Sequence, residues 1–242
     1  MVHGGPDWGT PGPLSTVYTL EDMAELVARL GSIVTFDRRG NVIWLDDFEG
    51  TLGKWSIDTD GPGGSIQLSA EAARSGAFSA KIISPNANGD KCGIKRWFPL
   101  PVESNIGFEF SWARAYQLAY IYLYFYFVEA AKSYSFRLRY WIAQNYLQYY
   151  DSAGNYISLE PRAYSGKETH IFNTIKLVVD YANKKYVRAL FNNQAFDLSA
   201  CSVRVGVGGT PYTLRTYIYA ETGATPNVPT YIDDVILTQN EP

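Results

Sequence analysis

The chain has 242 residues, enough for one large β-sandwich or two small domains. Aromatic residues make up 15% and charged residues 19%, so the chain can bury a core and is not disordered. A formal net charge of -3 gives no basic excess for phosphates, and we expect no nucleic-acid partner. Two Cys and two His exclude a disulfide framework, a four-thiolate zinc site and most His-based catalysis.

The sequence carries no targeting signal of its own. No window approaches the roughly 18–20 apolar residues of a membrane-spanning helix, so no membrane partner is expected. Residues 1–18 lack the basic and apolar regions of a signal peptide. We therefore expect synthesis in the cytoplasm, with release by lysis or special export. The mature form of a secreted protein would have the same features, so an extracellular location is the alternative.

Residues 1–45 predict an N-terminal docking element. Four Gly and three Pro in residues 1–17 indicate an extended arm. A short helix follows, with Thr19 as its N-cap and Gly31 as its stop. The next residues, up to 45, form a predicted hairpin that turns at 38–41. This block is too small to fold alone, so we expect it to dock on another surface.

From Asp46 onward, short runs of strand-forming residues are separated by turn residues. The pattern has no long helix and no alternation of strands with helices, which predicts an all-β antiparallel sandwich over 46–242. The predicted strands are 107–113, 119–128, 134–142, 145–150, 155–159, 174–181, 185–191, 213–219 and 231–237.

The two strands 119–128 and 134–142 alternate strictly, and a hairpin between them sets their register. Phe125 then pairs with Phe136, and these apolar positions face a core. The residues predicted to be buried there are Leu123, Phe125, Phe136, Leu138, Leu177 and Val179.

The opposite side of the same two strands is a surface that we call the Tyr/Arg face. The predicted register sets Tyr124 against Arg137, and Tyr122 against Arg139. Tyr120 pairs in the same way with Trp141, and the following strand extends the surface through Tyr146 and Gln148. The candidate binding residues are Tyr122, Tyr124, Arg137, Arg139, Trp141 and Gln148.

Three interpretations of the Tyr/Arg face are open. The rings can stack on sugars while Arg, Gln and Tyr hydroxyl groups bind their hydroxyls, or the face can be a protein interface. It can also be a self-supporting ladder of cation–π pairs. Four exposed Tyr and a Trp would exceed the apolar patch that a monomer normally tolerates. We therefore expect a partner or a covering segment, for which the N-terminal arm and helix of this or a neighbouring copy are candidates.

Several stretches resemble jelly-roll carbohydrate-binding modules. DDFEGTLGKWS (46–56) and SAEAARSGAFSAKI (69–82) are similar to the opening strands of those modules, and YIDDVIL (231–237) to their Asp-Asp final strand. Residues 173–199 resemble the paired strands of concanavalin-like sandwiches. The resemblance covers about residues 46–240 and implies a jelly-roll β-sandwich. Such sandwiches serve as lectins, glycosidases, virion parts and spacers alike.

In those modules a structural calcium often ties the first strand to the last. Carried over, the resemblance implies Glu49 and Asp234 as metal ligands, with Asp47 or Asp233 beside them. Calcium favours six to eight oxygen ligands, which carboxylates and carbonyl groups supply. The alternative is that these residues are ordinary solvated strand ends.

The sequence predicts no enzyme. A glycosidase needs two carboxyl groups at one cleft, and the Glu-x-Asp-x-Glu strand of concanavalin-like glycosidases is missing. Glu109 is the only carboxylate in a strongly aromatic strand, and a salt bridge to a neighbouring Arg is its expected role. His170 has no visible nucleophile beside it.

The leading hypothesis from these patterns is a non-enzymatic assembly protein, such as a virion surface or decoration protein. It would self-associate and contact other virion proteins through its arm and its Tyr/Arg face. The supporting features are the arm, the docking element and the lack of a secretion signal. The alternative is a carbohydrate-binding module of a larger or secreted system, with a glycan as its ligand.

Overall fold

The computed structural model describes residues 40–114, 117–129, 131–163, 165, 171–209 and 212–242. This part of the chain is almost entirely β-structure, with one 3-10 turn at Leu52–Lys54. Its strands are β1 (Asn41–Asp46), β2 (Ser56–Thr59), β3 (Ser65–Ser69), β4 (Ser79–Ile83), β5 (Lys91–Phe98), β6 (Asn105–Arg114), β7 (Tyr120–Glu129), β8 (Lys132–Trp141), β9 (Tyr146–Tyr150), β10 (Tyr156–Ser158), β11 (Asn173–Asp180), β12 (Lys185–Phe191), β13 (Gln194–Asp197), β14 (Arg204–Val207), β15 (Thr213–Glu221) and β16 (Pro229–Gln239).

The strands form two antiparallel sheets of eight strands each. The first sheet has the order β13-β12-β11-β6-β16-β4-β3, with β1 paired to β16 beside β4. The second has the order β10-β9-β8-β7-β15-β5-β2, with β14 paired to β8 beside β9. Neighbours in each sheet are mostly distant in sequence, which is the jelly-roll β-sandwich that the resemblance implied.

The core lies between the two sheets and consists of their inward-facing apolar side chains. Aromatic contacts join the layers: the ring centroids of Phe108 and Phe125 are 5.4 Å apart, and those of Tyr140 and Phe191 are 4.6 Å apart. The six residues that the alternation predicted to be buried are all fully buried, which confirms the assignment of faces: Leu123, Phe125, Phe136, Leu138, Leu177 and Val179.

The N-terminal predictions fall mostly outside the described residues, as does His170. The described exception is 41–45, predicted as the second half of the docking hairpin. In the structure these residues, together with Asp46, are β1 and pair with Val235–Gln239 of β16, so they add to the first sheet of the sandwich. The backbone N–H and C=O groups of β1 form hydrogen bonds with the free edge of β16. Local sequence does not reveal this partner, because β16 lies at the other end of the chain. The division at residue 45 into two domains stays a prediction.

The start of the sandwich is fixed by Asp46, which is buried at the end of β1. Its carboxylate accepts hydrogen bonds from the Trp55 indole nitrogen at 2.8 Å and the Lys54 ammonium at 2.9 Å. Trp55 in turn stacks on Phe48, with ring centroids 6.2 Å apart.

In the described part of the chain, no helix is long and apolar enough to span a membrane.

Candidate functional site

The Tyr/Arg face lies on the outward side of the second sheet, opposite the core. The structure confirms the predicted register, with Tyr124 opposite Arg137 and Tyr122 opposite Arg139. Tyr120 lies opposite Trp141, as the alternation of β7 and β8 requires. The face continues onto β15, where Tyr217 and Tyr219 pair with Tyr124 and Tyr122, and then onto β5 and β9.

Arg139 is held between two aromatic rings. Its guanidinium carbon lies 4.0 Å from the ring centroid of Tyr120 and 3.8 Å from that of Tyr156. Its Nε donates to Gln148 Oε1 at 2.6 Å, and Gln148 Nε2 donates to Ser158 Oγ at 3.0 Å. Gln148 is therefore part of the face, as predicted, but it orients an arginine and is itself buried.

Arg137 occupies the next outward position on β8. Its guanidinium carbon lies 4.4 Å from the ring centroid of Tyr150, 4.8 Å from that of Tyr124 and 5.1 Å from that of Tyr126. Its Nε donates to Ser135 Oγ at 2.7 Å. Such cation–π contacts are individually small, but several of them together fix the direction of a long side chain.

Three tyrosines form the floor of the face. Tyr122, Tyr124 and Tyr219 are each less than a tenth exposed, although they point away from the sandwich core. The Tyr219 ring lies against Gly93 of β5, where an added Cβ would come within 2.7 Å of the ring and 2.0 Å of the Ile218 carbonyl oxygen. Gly93 thus lets the ring lie flat on the neighbouring strand.

The floor hydroxyl groups are tied to carboxylates. Tyr219 donates to Asp58 and Tyr122 donates to Glu221, each at 2.5 Å. Burial, together with the nearby carboxylate, raises the pKa of both tyrosines above its ordinary value. The hydroxyl groups therefore stay protonated, and they keep the floor neutral.

The rim of the face is more exposed than its floor. Tyr156 comes from β10, three strands from β7, yet its ring centroid lies 6.1 Å from that of Tyr122. Because neighbouring strands are about 4.8 Å apart, this ring must lean inward and close the face on one side. On the other side, Trp97 of β5 is 62% exposed and stacks with Arg215, whose guanidinium carbon lies 5.4 Å from the ring centroid.

The sequence identifies the central residues of the Tyr/Arg face on β7 and β8, but not the residues that border them. The residues it missed are Tyr150, Tyr156, Tyr217, Tyr219, Trp97 and Arg215. For the residues in TLRTYIYAE and YLQYY, the alternation along the strand was a usable signal for the outward side. What the sequence lacked was the pairing of β15 with β7, which joins strands far apart in the chain.

Glu49, a predicted calcium ligand, binds backbone instead. Its Oε1 accepts hydrogen bonds from the Ala77 and Phe78 amides at 2.7 and 2.8 Å. Gly76, at φ 62°, allows this approach, because an added Cβ would come within 2.3 Å of the same oxygen. Predicted neighbour Asp47 accepts from the Glu49 amide at 3.2 Å.

Asp234, the second predicted ligand, lies at a bulge in β16 and faces an arginine. Its carboxylate pairs with Arg74 at 3.1 Å and accepts from Ser75 Oγ at 2.7 Å. Asp233 accepts from the backbone amides of Arg74 and Ser75 at 2.7 and 3.2 Å. Within the described ranges no group of three or more His, Cys, Asp or Glu could hold a metal ion. Asp234 is thus neutralised by Arg74 and Glu49 is engaged by two backbone amides, and calcium at these residues stays a prediction.

Glu109 lies on the outward side of the first sheet, away from the Tyr/Arg face. Among the described ion pairs it faces a lysine: Lys176 Nζ is 3.8 Å from its Oε2. The same ammonium lies 2.6 Å from Glu241, and both partners are almost fully buried. Pairing of β11 with β6 places Lys176 directly opposite Glu109, which explains this contact.

No protein-family profile and no curated protein matches the chain. Among solved structures, a protein described as cellulose induced protein, Cip1, is 15% identical, with a TM-score of 0.52 over 80% of this chain and 96% of its own. The carbohydrate recognition domain of Emp47p is 9% identical, with a TM-score of 0.48 over 85% and 100%. The family 22 carbohydrate-binding module of Clostridium thermocellum Xyn10B is 17% identical, with a TM-score of 0.36 over 84% and 96%. The chain thus shares the jelly-roll β-sandwich fold of Cip1, in line with the resemblance to carbohydrate-binding modules.

Proposed function

We propose that the chain is a non-catalytic carbohydrate-binding domain and that the Tyr/Arg face holds the glycan. The observation that carries this proposal is the continuous surface of rings and guanidinium groups across β5, β15, β7, β8 and β9. The fold alone does not identify the function, because the same sandwich hosts many activities. The argument therefore rests on the chemistry of this face.

A sugar ring presents apolar C–H groups on its faces and hydroxyl groups around its edge. The partly exposed rings of Tyr120, Tyr126 and Tyr217 provide flat apolar surface, and Trp97 provides more at the rim. Glu221 and Asp58 accept hydrogen bonds at the floor, while the arginines donate them. This mixture of aromatic surface and few oriented polar groups is typical of small-ligand sites.

The face is less suited to be the centre of a protein interface. The outward side chains of 120–126, 135–141 and 215–221 are aromatic or polar, and none is aliphatic. Interfaces also use Arg and aromatic side chains, so the argument against an interface rests on the missing aliphatic residues. The assembly role in a virion, predicted from the layout of the chain, has no such feature in its favour among the described residues.

The proposal is tested by affinity gel electrophoresis against a panel of soluble neutral and acidic polysaccharides. Wild type should be retarded by at least one of them. Trp97→Ala and Trp141→Ala should lose most of that retardation, because each removes exposed ring surface. Lys185→Gln, an exposed change on the other sheet, is the matched control and should bind like wild type. Migration unaffected by every polysaccharide, together with an oligomer by light scattering, would contradict the proposal and favour the assembly role.

A further inference from the structure

The Tyr/Arg face carries arginines that have no counter-ion among the described residues. On the outward side of the second sheet lie Arg137, Arg139, Arg204 and Arg215, and among the described residues no carboxylate is within 4.0 Å of any of them. Their hydrogen-bond partners are neutral, namely Ser135, Gln148, the Tyr150 hydroxyl and Thr213. These are four cationic groups in a chain whose net charge is -3.

The lysines of the same face behave differently. Lys91 pairs with Glu221 at 3.4 Å, and Lys95 pairs with Asp58 at 2.6 Å. Both pairs lie on the β5 and β15 side of the face, where charge is therefore balanced. The excess positive charge is confined to the arginines, most of it at the β8 and β14 side.

Two of these arginines, Arg137 and Arg204, also lie close to each other. The guanidinium carbons of Arg137 and Arg204 are 4.4 and 5.6 Å from the centroid of the same ring, that of Tyr150. They are thus at most about 10 Å apart, within reach of one another's field at physiological salt. In the sheet register, Arg215 lies opposite Tyr126 and Arg204 lies opposite Ser135, which are themselves partners. Arg204 and Arg137 therefore flank one position on the face, while Arg215 lies beyond Tyr126 on the same register line and stacks on Trp97.

Clustered like charges repel, and the rings of Tyr126 and Tyr150 compensate only in part. An anionic group bound at this position would relieve the repulsion and form bidentate hydrogen bonds to a guanidinium. We infer that the glycan of the proposed function, on which this inference rests, is an acidic polysaccharide with one carboxylate or sulfate group bound at Arg137 and Arg204 and a further acidic group of the same polymer at Arg215. The sugar rings then lie on the tyrosines and Trp97.

The experiment uses matched pairs of polymers that differ in charge alone. Alginate and polygalacturonate, each beside its carboxyl-reduced form, test carboxylate, and dextran sulfate beside dextran tests sulfate. Binding is measured by calorimetry and gel retardation at low and high salt. We expect at least one acidic polymer to bind at least tenfold more tightly than its neutral partner, and this preference should shrink as salt rises.

Arginine variants then test which side chains cause the preference for the acidic polymer over its neutral partner. Arg204→Gln and Arg215→Gln leave the floor tyrosines in place, and each should weaken binding of the acidic polymer by about tenfold, as expected for loss of a charged hydrogen bond. Binding of the neutral partner, where it is measurable, should stay the same. Lys185→Gln is again the control, because it removes one positive charge from the opposite sheet and should leave both affinities unchanged.

Each other outcome overturns the inference. Equal binding of charged and neutral partners, or arginine variants that bind the acidic polymer normally, would remove the acidic ligand and leave the carbohydrate-binding function standing. If a single-stranded deoxythymidine oligonucleotide binds as tightly as the acidic polysaccharide, the arginines bind any polyanion and the sugar rings contribute nothing. Failure to bind any polysaccharide, neutral or acidic, would instead remove the proposed function itself.

Discussion

The two outward faces of the sandwich use charge in opposite ways. On the first sheet, Lys176 is almost fully buried and lies between Glu109 and Glu241, while Arg188 holds the second oxygen of Glu241 at 3.1 Å. On the second sheet, Arg137 and Arg139 are stacked on tyrosines with no described carboxylate beside them. Charges that are paired and buried hold chain segments together, whereas charges left unpaired on aromatic surface are available to a ligand. The first face is thus built for stability, and the second has the arrangement that the proposed binding function needs.

The largest expected effect is the loss of stability when Lys176, the buried and paired cation of the first face, is replaced. Lys176→Met should lower the free energy of unfolding by about 3–5 kcal/mol, because it leaves the buried Glu241 carboxylate with one cation fewer. Urea unfolding at neutral pH measures this loss. The exposed Lys185→Gln on the adjacent strand is the control and should change stability by less than about 0.5 kcal/mol. A loss below about 1 kcal/mol for Lys176→Met would show that the first face is not held by this pair.

A second difference is the direction of pH dependence. Burial and the neighbouring Asp234 raise the pKa of Asp233 to about 7 from 3.8. Asp233 therefore contributes stability at low pH that is lost as the pH rises toward 7, with a slope of at most about 1.4 kcal/mol per pH unit. Asp233→Asn should remove this slope in urea titrations at several pH values. A wild type and variant with parallel pH profiles would contradict the assignment.

On the second face, Asp58 makes stability depend on pH in the opposite direction. Burial raises the pKa of Asp58, but hydrogen bonds from Lys95 and Tyr219 outweigh this effect and hold the pKa below 3.8. The stability that Asp58 contributes is thus present at neutral pH and is lost only in strong acid. Asp58→Asn should flatten the acid limb of the profile alone, which distinguishes it from Asp233→Asn.

A smaller effect is expected for the stacked arginines. Arg139→Gln removes two cation–π contacts on a partly exposed surface and should cost about 1 kcal/mol of stability. Binding should suffer much more than folding, so the same variant is tested in both assays. A loss of stability above about 3 kcal/mol would mean that the arginine ladder holds the fold, and the contrast between the two faces would disappear.

The smallest expected effect is that of calcium. Because Arg74 already neutralises Asp234, and Glu49 is engaged by two backbone amides, a chelator should leave the melting temperature unchanged, as should added calcium. Arg74→Gln should lower the melting temperature in both conditions. A drop on chelation that calcium reverses would restore the metal predicted from the resemblance.

The sequence predicts features that depend on residues close together in the chain, but not contacts between strands that are far apart in it. The strict alternation of β7 and β8 and the short turn between them fixed both the core residues and the pairing of Tyr124 with Arg137. The contact between Tyr219 and Gly93 depends on β15 pairing with β5, and no local pattern encodes that partner. For the same reason the sequence predicts 41–45 as part of the N-terminal hairpin, whereas their partner is the last strand of the chain.

The site chemistry shows the same limit. The resemblance suggested carboxylate ligands at Glu49 and Asp234, but only the folded loop brings Arg74 against Asp234. Likewise, the sequence identified Arg137 and Arg139 as candidate residues, whereas the absence of described counter-ions and the nearness of Arg204 depend on the sheet register.

The most direct test of the central claim is an NMR titration that follows the arginine Nε–Hε signals as alginate or dextran sulfate oligomers are added. We predict that the largest shifts belong to Arg137, Arg204 and Arg215, with Arg139 close behind, and that Arg74 and Arg188 on the first sheet are unaffected. The neutral oligomers of the same linkage should shift these signals far less. Shifts confined to the first sheet, or equal shifts with neutral oligomers, would contradict the account.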